Sequence, residues 1–156
     1  MATEPNPGYD PEPDLEALHA TRGARVAVGF MLATAVCELG SLLQYVFSYV
    51  VAPPWVTAWV WSKLLVIALA LYAAHVVTDL HRRALPVWVG VSLLALAGGI
   101  GWFLFSWSEG LLSCFARRVP IPAVVTLLAS GLVKAEIARA DLARGHLRES
   151  GLGEGF

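Results

Sequence analysis

One face of the first long apolar stretch, residues 26–51, carries a regular series of polar side chains. Successive members lie four, three, four and three residues apart, and they are Thr34, Glu38, Ser41, Tyr45 and Ser48. This spacing keeps side chains on one face of an α-helix. The opposite face is aliphatic, so the stretch predicts a membrane-spanning helix with one polar and one lipid-facing side. We call these five residues, together with the flanking Gln44, the polar stripe.

Glu38 carries the most reactive group of the polar stripe, because it places a carboxylate near the midpoint of an apolar span. An ionisable side chain at the bilayer centre costs on the order of 3 kcal/mol and is by default a functional candidate. Two interpretations follow. Glu38 can exchange protons in a small proton-coupled transporter, or it can form a fixed polar contact with Lys63, Gln44 or a partner subunit that holds helices together.

The composition predicts an all-α integral membrane protein. Of 156 residues, 57% are hydrophobic and 15% are charged, and the mean hydropathy of +0.64 is too high for an ordinary soluble domain. The net charge of −1 and the lack of a basic tract argue against nucleic acid as a partner. The chain contains no HExxH, GxSxG or GxxxxGK[ST] motif and no cysteine–histidine cluster. We therefore expect no enzymatic activity, no cofactor and no metal site.

Four apolar runs, two of them completed by flanking residues to the roughly 20 residues that cross a bilayer, predict four transmembrane helices. Their expected bounds are about 26–51, 55–77, 85–105 and 119–137, within a transmembrane domain of residues 14–133. Four prolines and no apolar period predict a disordered acidic tail at 1–13, and Asp14 is a candidate N-cap for a short surface helix. Residues 134–156 are expected to form a cytoplasmic helical tail.

The second span predicts a partner for Glu38. Its continuous apolar run, Leu64 to Val77, is only 14 residues long, so the helix has to begin near Trp55 and take Lys63 into the membrane. If the first two helices are antiparallel, Lys63 and Glu38 differ in depth by roughly 7 Å at 1.5 Å per residue. A lysine side chain covers most of that distance. This pairing favours the fixed-contact interpretation of Glu38.

Small residues on the third span predict helix–helix contacts. Ser92, Ala95 and Gly99 share one face at steps of three and four, and small residues at this spacing let another helix approach closely. A second set lies on the opposite side and consists of Gly90, Ala97 and Gly101. We expect this span to pack on two sides.

Basic residues predict the orientation of the four spans. Four spans place both termini on one side, and the positive-inside rule makes that side cytoplasmic because it carries more Lys and Arg. A bias toward Ala, Leu, Val, Arg and Gly is typical of a GC-rich bacterial source, so the expected location is the bacterial cytoplasmic membrane. The terminal-side residues are Arg22, Arg25, Arg82, Arg83, Lys134, Arg139, Arg144 and Arg148, and those of the other side are Lys63, Arg117 and Arg118.

Interfacial side chains predict contacts with lipid. Arg139, Arg144 and Arg148 of the C-terminal tail are candidates for binding anionic headgroups, although a solvated helical face is the simpler interpretation. Five tryptophans fall toward the outer interface, as in an aromatic belt. They are Trp55, Trp59, Trp61, Trp102 and Trp107.

A redox membrane enzyme is the weakest of the functional interpretations. His75 and His81 lie six residues apart near one end of the second span and do not share a helical face. The other spans contain no histidine, so the chain alone does not provide two facing histidine ligands for haem.

Three segments resemble the small four-helix membrane subunit of TRAP transporters. They are LQYVF at 43–47, HVVTDLHRRALP at 75–86, and the pair Gly101-Trp102 followed by Ile121-Pro122. Length and predicted topology also fit that family, which usually has arginine where this chain has Gln44. The resemblance implies a non-catalytic role, as a membrane-embedded partner of a larger transporter subunit. The plan of four spans with a glutamate in the first also resembles small multidrug exporters.

These observations predict an accessory subunit of a larger membrane complex, one concerned with transport. Its contact surfaces would be the polar face of the first helix and the small-residue face of the third. The alternative is a proton-coupled transporter that uses Glu38 as its protonatable carboxylate. Whether the polar stripe faces its own bundle or a foreign helix stays open at the level of the sequence.

Overall fold

The computed structural model describes residues 9–19, 21–48, 54–108, 110 and 120–151, of which 88% are helical. Within these ranges there is no β-strand, so the predicted all-helical fold is confirmed. The helices, numbered in chain order, are α1 Glu12–Ala17, α2 Arg22–Ser48, α3 Pro54–Thr78, α4 Ala84–Ser108, α5 Pro120–Leu128 and α6 Ser130–Glu149.

Among the residues that the structure describes, four helical stretches are long and apolar enough to cross a membrane. Three of them are α2, α3 and α4, and the fourth is formed by α5 and α6 together. Only Ala129 separates α5 from α6, and its N–H donates to the Val125 carbonyl at 2.9 Å while its own carbonyl accepts from Val133 at 3.1 Å. The helical path therefore continues across this residue.

Helix ends differ from the expected bounds by a few residues. α2 begins at Arg22 rather than near residue 26, because helical hydrogen bonding continues into a polar segment that hydropathy alone does not assign to a span. α6 ends at Glu149, within the range 134–156 that was expected to be helical. α1 begins at Glu12 rather than after Asp14, with Pro13 in its first turn, where a missing N–H is not needed. The part of the predicted tail before Tyr9 lies outside the described residues, as do residues 49–53 and 111–119 between the spans.

The four long stretches pack in a ring in which α2 contacts α3, α3 contacts α4, α4 contacts α5, and α5 returns to α2. One end of the bundle, where α2 and α4 begin and α3 ends, has a core rich in alanine that includes Ala27, Val77 and Ala84. Alanines allow helix backbones to approach closely in an apolar environment, where packing rather than water exclusion drives association. α1 lies against α6, outside the ring.

Trp88 is the largest side chain in this alanine-rich core and is fully buried. Its indole N–H donates to the Thr126 carbonyl at 2.8 Å. That carbonyl lies within one turn of Ala129, so a side chain of α4 binds the backbone of α5 close to the point where α5 gives way to α6. Leaving a buried indole N–H unpaired costs about 1–3 kcal/mol, so this bond stabilises the contact between α4 and α5.

The turn after α3 is closed by an unusual backbone conformation and by an arginine from α6. Leu80 has a φ of 47°, which is uncommon for a residue with a Cβ, and its side chain is fully buried beside Ala24 and Ala140. Arg144 donates to the carbonyls of Leu80 at 2.9 Å and Asp79 at 3.1 Å. Its guanidinium thus satisfies carbonyls that the end of α3 leaves without helical partners.

Candidate functional site: a buried ion pair beside an aromatic cavity

The Glu38 carboxylate and the Lys63 ammonium form an ion pair in the centre of the bundle. Glu38 is 0% exposed and Lys63 is 2% exposed. Glu38 comes from α2 and Lys63 from α3, and the Lys63 Nζ also lies 3.5 Å from the Gly98 carbonyl of α4. The same nitrogen is 5.5 Å from the centroid of the Trp59 ring, a distance at which a cation–π attraction operates. The pairing predicted from the short second apolar run is therefore present.

One oxygen of the carboxylate is less well satisfied than the other. Lys63 donates to Oε2 of Glu38, whereas Oε1 is buried and accepts no hydrogen bond from the described residues. The ion pair is electrically neutral as a unit. Burying either charge alone in an apolar interior would cost much free energy, and pairing the two charges lowers that cost.

Two hydroxyl groups of the polar stripe, those of Thr34 and Ser41, are satisfied within α2. The Thr34 hydroxyl donates to the Phe30 carbonyl at 3.0 Å, and the Ser41 hydroxyl donates to the backbone carbonyl of Glu38 at 2.7 Å. These are bonds to carbonyls three or four residues earlier, a common arrangement for Ser and Thr in helices. Neither hydroxyl donates to the carboxylate of Glu38 in these bonds.

The structure answers the question that the sequence leaves open about the polar stripe. Thr34, Glu38, Ser41 and Tyr45 are all buried, and Gln44 is half-buried. The stripe therefore faces its own bundle and does not offer a contact surface to a foreign helix. The side chain of Ser48 lies outside the described part of the chain. The outward face of α2 is aliphatic and aromatic, and its exposed residues include Leu32, Val36, Leu39, Leu43, Val46 and Phe47.

The small residues of α4 divide between the inside and the outside of the bundle. Ser92, Ala95 and Gly99 are buried. The opposite set, Gly90, Ala97 and Gly101, is exposed. The two faces predicted from their spacing are thus distinct in the structure, and only the second one is free to meet another molecule.

An aromatic cluster lies beside the ion pair on the side of the bundle where α2 and α4 end and α3 begins. The ring centroids of Trp59 and Trp102 are 4.7 Å apart, those of Tyr45 and Trp102 are 5.6 Å apart, and those of Trp102 and Phe105 are 5.7 Å apart. Such distances are typical of favourable aromatic pairs. The cluster borders a cavity of about 350 Å³ that Lys63 also lines.

Two of the tryptophans expected in an interfacial belt belong to this cluster. Trp102 is 1% exposed and Trp59 is half-buried, so both face the interior because they pack on each other and on Tyr45. Trp61 and Trp107 are exposed, as a belt residue would be, and the side chain of Trp55 lies outside the described part. A period-based signal existed for both residues: Trp59 lies four residues before Lys63, and Trp102 lies three residues after Gly99 on the buried face of α4.

The C-terminal arginines make contacts within the chain. Arg139 donates to the carbonyls of Ala17 and His19, at 3.4 Å and 3.2 Å, and thereby holds the end of α1 against α6. Arg144 binds the end of α3, as described above. Arg148 is exposed. Of the three candidates for lipid contact, two are therefore engaged with backbone carbonyls.

Asp141 on α6 is held by two arginines at the same end of the bundle. Arg82 donates to it at 2.8 Å and Arg144 at 3.2 Å. Partial desolvation raises the pKa of the carboxyl, but the hydrogen bonds and charges of Arg82 and Arg144 outweigh it, and the pKa of Asp141 lies below its ordinary value. Asp141 is therefore ionised at neutral pH.

Among the described residues, no group of three or more His, Cys, Asp or Glu side chains is placed to hold a metal ion. His75 and His81 are both exposed. The polar chemistry of the apolar region is thus concentrated in the Glu38–Lys63 pair and the aromatic cavity next to it.

Comparison of the chain with protein-family models, with curated proteins and with solved structures finds no match. The resemblance to the small TRAP transporter subunit consequently stays a prediction, and functional inference has to start from the geometry of the ion pair, the cavity and the exposed face of α4.

Proposed function

We propose that this protein is a non-catalytic accessory subunit of a larger membrane complex. The observation that carries this proposal is the use of the polar stripe inside the chain itself: Glu38 is paired with Lys63, and both are buried. A carboxylate held by a lysine of the neighbouring helix fixes the position of α3 against α2. Its role is then to specify how the helices pack, a use of buried polar groups that is known from other helical assemblies.

The hydroxyls beside Glu38 support a static role. A proton path would need hydroxyls or water sites that connect the carboxylate to the membrane surface. Thr34 and Ser41 instead donate to carbonyls of their own helix, as does Ser92 on α4, whose hydroxyl donates to Trp88 at 2.8 Å. In these bonds the hydroxyls bind carbonyls of their own helices and not one another, which supports the static role.

The surface through which a partner subunit would pack is the outward small-residue face of α4, defined by Gly90, Ala97 and Gly101. All three residues are exposed, and a Cβ added at Gly90 or Gly101 would meet no atom within 4 Å. In lipid, small residues at such positions allow a second helix to approach closely and to gain dispersion contacts. The resemblance to the TRAP transporter subunit supports a transport complex as the assembly.

We further propose that the protein spans the bacterial cytoplasmic membrane with both termini in the cytoplasm. Arg82, Arg139 and Arg144 cluster at the end of the bundle where α1 and α6 lie, which supports a cytoplasmic placement of that end by the positive-inside rule. The exposed Trp61 and Trp107 belong to the opposite end. Cysteine labelling with a membrane-impermeant reagent tests this, with labelling at the α3–α4 turn expected only after the cells are opened.

A matched pair of glycine substitutions tests the proposed contact face. Gly90→Leu adds a large side chain to the α4 face, and we expect it to reduce co-purification of partner polypeptides in mild detergent at least tenfold. Gly29→Leu is the control, because Gly29 is equally exposed, lies at a similar distance from the start of its helix, and has nothing within 4 Å of an added Cβ. Equal loss of partners in both variants, or no loss in either, would contradict the assignment of this face.

A proton-coupled transporter is the second candidate, and one observation favours it. Oε1 of Glu38 accepts no hydrogen bond from the described residues, and the ion pair borders a cavity of about 350 Å³ through Lys63. In this case Glu38→Gln would abolish pH-gradient-driven flux in proteoliposomes while the fold stays intact. An accessory subunit gives no such flux in either form.

A further inference from the structure

A second cavity lies at the end of the bundle where α3 turns into α4, and charged side chains form its walls. Its volume is about 340 Å³. The turn supplies two of the lining residues, and one face of α6 supplies the others at steps of three, one and three along the helix. They are His81 and Arg82 of the turn, and Asp141, Arg144, Gly145 and Arg148 of α6. Three guanidinium groups and one carboxylate therefore border the same space.

The cavity has a surplus of positive charge. Asp141 is the one carboxylate among the described residues that line it, and against three arginines it leaves a net charge of +2 with His81 neutral. Arg144 and Arg148 lie four residues apart on α6, a spacing at which like charges repel each other. An anion bound between the arginines would offset this repulsion.

Two of the arginines have N–H groups left for a ligand. Arg82 donates to Asp141 through Nε, and its side chain is 81% exposed, so the four N–H bonds on its two terminal nitrogens stay available. Arg148 is exposed, and within the described ranges its guanidinium makes no hydrogen bond or ion pair. A planar guanidinium can donate two parallel N–H bonds to the oxygens of a phosphate group. Phosphate is therefore the anion that suits these donors best.

The position of the cavity favours a lipid headgroup as the source of the phosphate. Arg82 lies between Thr78, the last residue of α3, and Ala84, the first residue of α4. Both helices are long and apolar enough to cross a membrane. A residue just beyond the ends of two spans lies at the level of the headgroups, which form a layer of several Å on each side of the hydrocarbon. Since both leaflets contain phospholipid, this holds for either orientation of the chain.

We propose that this cavity binds a phosphate group through Arg82 and Arg148, with the phosphate supplied by a lipid headgroup. Arg144 holds the α6 wall of the cavity against the turn, because it donates to the carbonyls of Asp79 and Leu80. Arg148 is one of the three arginines whose position in the sequence suggested lipid contact, whereas Arg82 comes from a distant segment that the fold brings beside it. Binding needs no partner subunit, so it stands or falls separately from the accessory role.

Isothermal titration of the full chain in micelles of an uncharged detergent, with dioctanoyl phosphatidic acid added to the same micelles, tests the proposal. We expect saturable binding at one site per chain. Arg82→Gln and Arg148→Gln should each weaken it at least tenfold, because each removes charge-assisted hydrogen bonds to the phosphate. Heat that is linear in lipid concentration shows partitioning into micelles only and overturns the proposal.

Arg83→Gln is the matched control for charge. Arg83 is an exposed residue of the same turn and does not line the cavity, so its loss removes an equal charge at a similar depth and should leave the affinity nearly unchanged. If Arg83→Gln weakens binding as much as Arg82→Gln does, the lipid is held by diffuse attraction to a basic surface, and the proposal is overturned.

A steric variant keeps every arginine in place. An added Cβ at Gly145 meets nothing within 4 Å, so the backbone accepts a side chain that extends into the cavity, and Leu favours a helix more than Gly does. Gly145→Leu should therefore stay folded and bind phosphatidic acid at least tenfold more weakly. Gly131→Leu, at an exposed glycine of α6 with the same open space, is the control and should bind normally. Unchanged binding by Gly145→Leu places the lipid outside the cavity and overturns the proposal.

Two further probes separate the parts of the ligand. Dioctanoylglycerol has the same tails without the phosphate, and we expect it to bind at least tenfold more weakly than phosphatidic acid. Equal affinity for the two compounds shows that the tails alone are bound and overturns the proposal. Inorganic phosphate distinguishes the two sources of the anion. Weaker binding of inorganic phosphate than of phosphatidic acid supports a lipid headgroup, whereas binding that is as tight and equally sensitive to Arg82→Gln supports a soluble phosphate compound in the same cavity.

Discussion

Removing one partner of the Glu38–Lys63 pair is expected to destabilise the bundle far more than removing both. Glu38→Gln leaves the Lys63 ammonium buried without its counter-charge, and Lys63→Met leaves the Glu38 carboxylate in the same position. The double substitution removes both charges and leaves an amide next to an apolar side chain of similar length. The central prediction is that its cost is well below the sum of the two single costs.

The magnitude follows from the burial of the two groups. Lys63 is 2% exposed and Glu38 is 0% exposed, so neither can turn toward water when its partner is lost. Breaking a buried pair costs about 3–5 kcal/mol, whereas replacing both members by uncharged residues is often close to neutral. Each single variant should therefore lose about 3 kcal/mol of unfolding free energy, and the double variant about 1 kcal/mol. The implied coupling between the two sites is about 5 kcal/mol.

Steric trapping or detergent-induced unfolding of the purified chain measures these free energies. Lys134→Met is the control, because it removes the same charge from an exposed position on α6 and should change the stability by less than about 1 kcal/mol. If the losses of unfolding free energy of the two single variants add, so that the double variant is about 6 kcal/mol less stable than the wild-type chain, the two side chains do not interact. If Lys63→Met leaves the unfolding free energy unchanged, the reasoning from burial is wrong.

Three further outcomes are expected from other parts of the fold. Trp88→Phe should cost about 1–3 kcal/mol of unfolding free energy, because it leaves the buried Thr126 carbonyl without the indole donor. Trp61→Phe, at an exposed position, is the matched control. Arg144→Ala should destabilise the chain by about 1–3 kcal/mol, since Arg144 binds two backbone carbonyls, whereas Arg82→Ala, at a side chain 81% exposed, should cost less than about 1 kcal/mol. Because the pKa of Asp141 is lowered from its ordinary 3.8 in the folded chain, the stability that it contributes is present above that value and is lost as the pH falls through the folded pKa. Thermal melts between about pH 5 and pH 3 should therefore show a smaller loss for Asp141→Asn than for the wild-type chain, and parallel curves would contradict the assigned contacts.

The number of long apolar helices and the Glu38–Lys63 contact could be predicted because both follow from length. Four apolar segments give four long helical stretches. The run from Leu64 to Val77 is too short to cross a bilayer, and extending it toward Trp55 necessarily takes Lys63 into the apolar region. The depth of a residue in the bilayer follows from its position along a spanning helix, because each residue adds a fixed rise of about 1.5 Å.

The neighbours of each face could not be predicted in the same way. Periodicity shows that Ser41 and Glu38 share a face, but a foreign helix and the chain's own bundle are equally apolar surroundings in a membrane. The residue type of Trp102 was also ambiguous, because tryptophan serves both interfacial belts and aromatic cores. Arg144 binds the carbonyls of Asp79 and Leu80 across more than 60 positions of sequence, and no local pattern indicates such a contact.

The native mass of the protein, solubilised in mild detergent from the membrane in which it is naturally made, tests the central claim most directly. If the protein is an accessory subunit, the complex has a mass larger than that of its copies of the 16.7 kDa chain, and the difference is the mass of other membrane polypeptides. This extra mass should be lost with Gly90→Leu and kept with Gly29→Leu. A mass equal to a small multiple of 16.7 kDa, together with pH-gradient-driven flux that Glu38→Gln abolishes, would contradict the claim and identify the protein as a carrier.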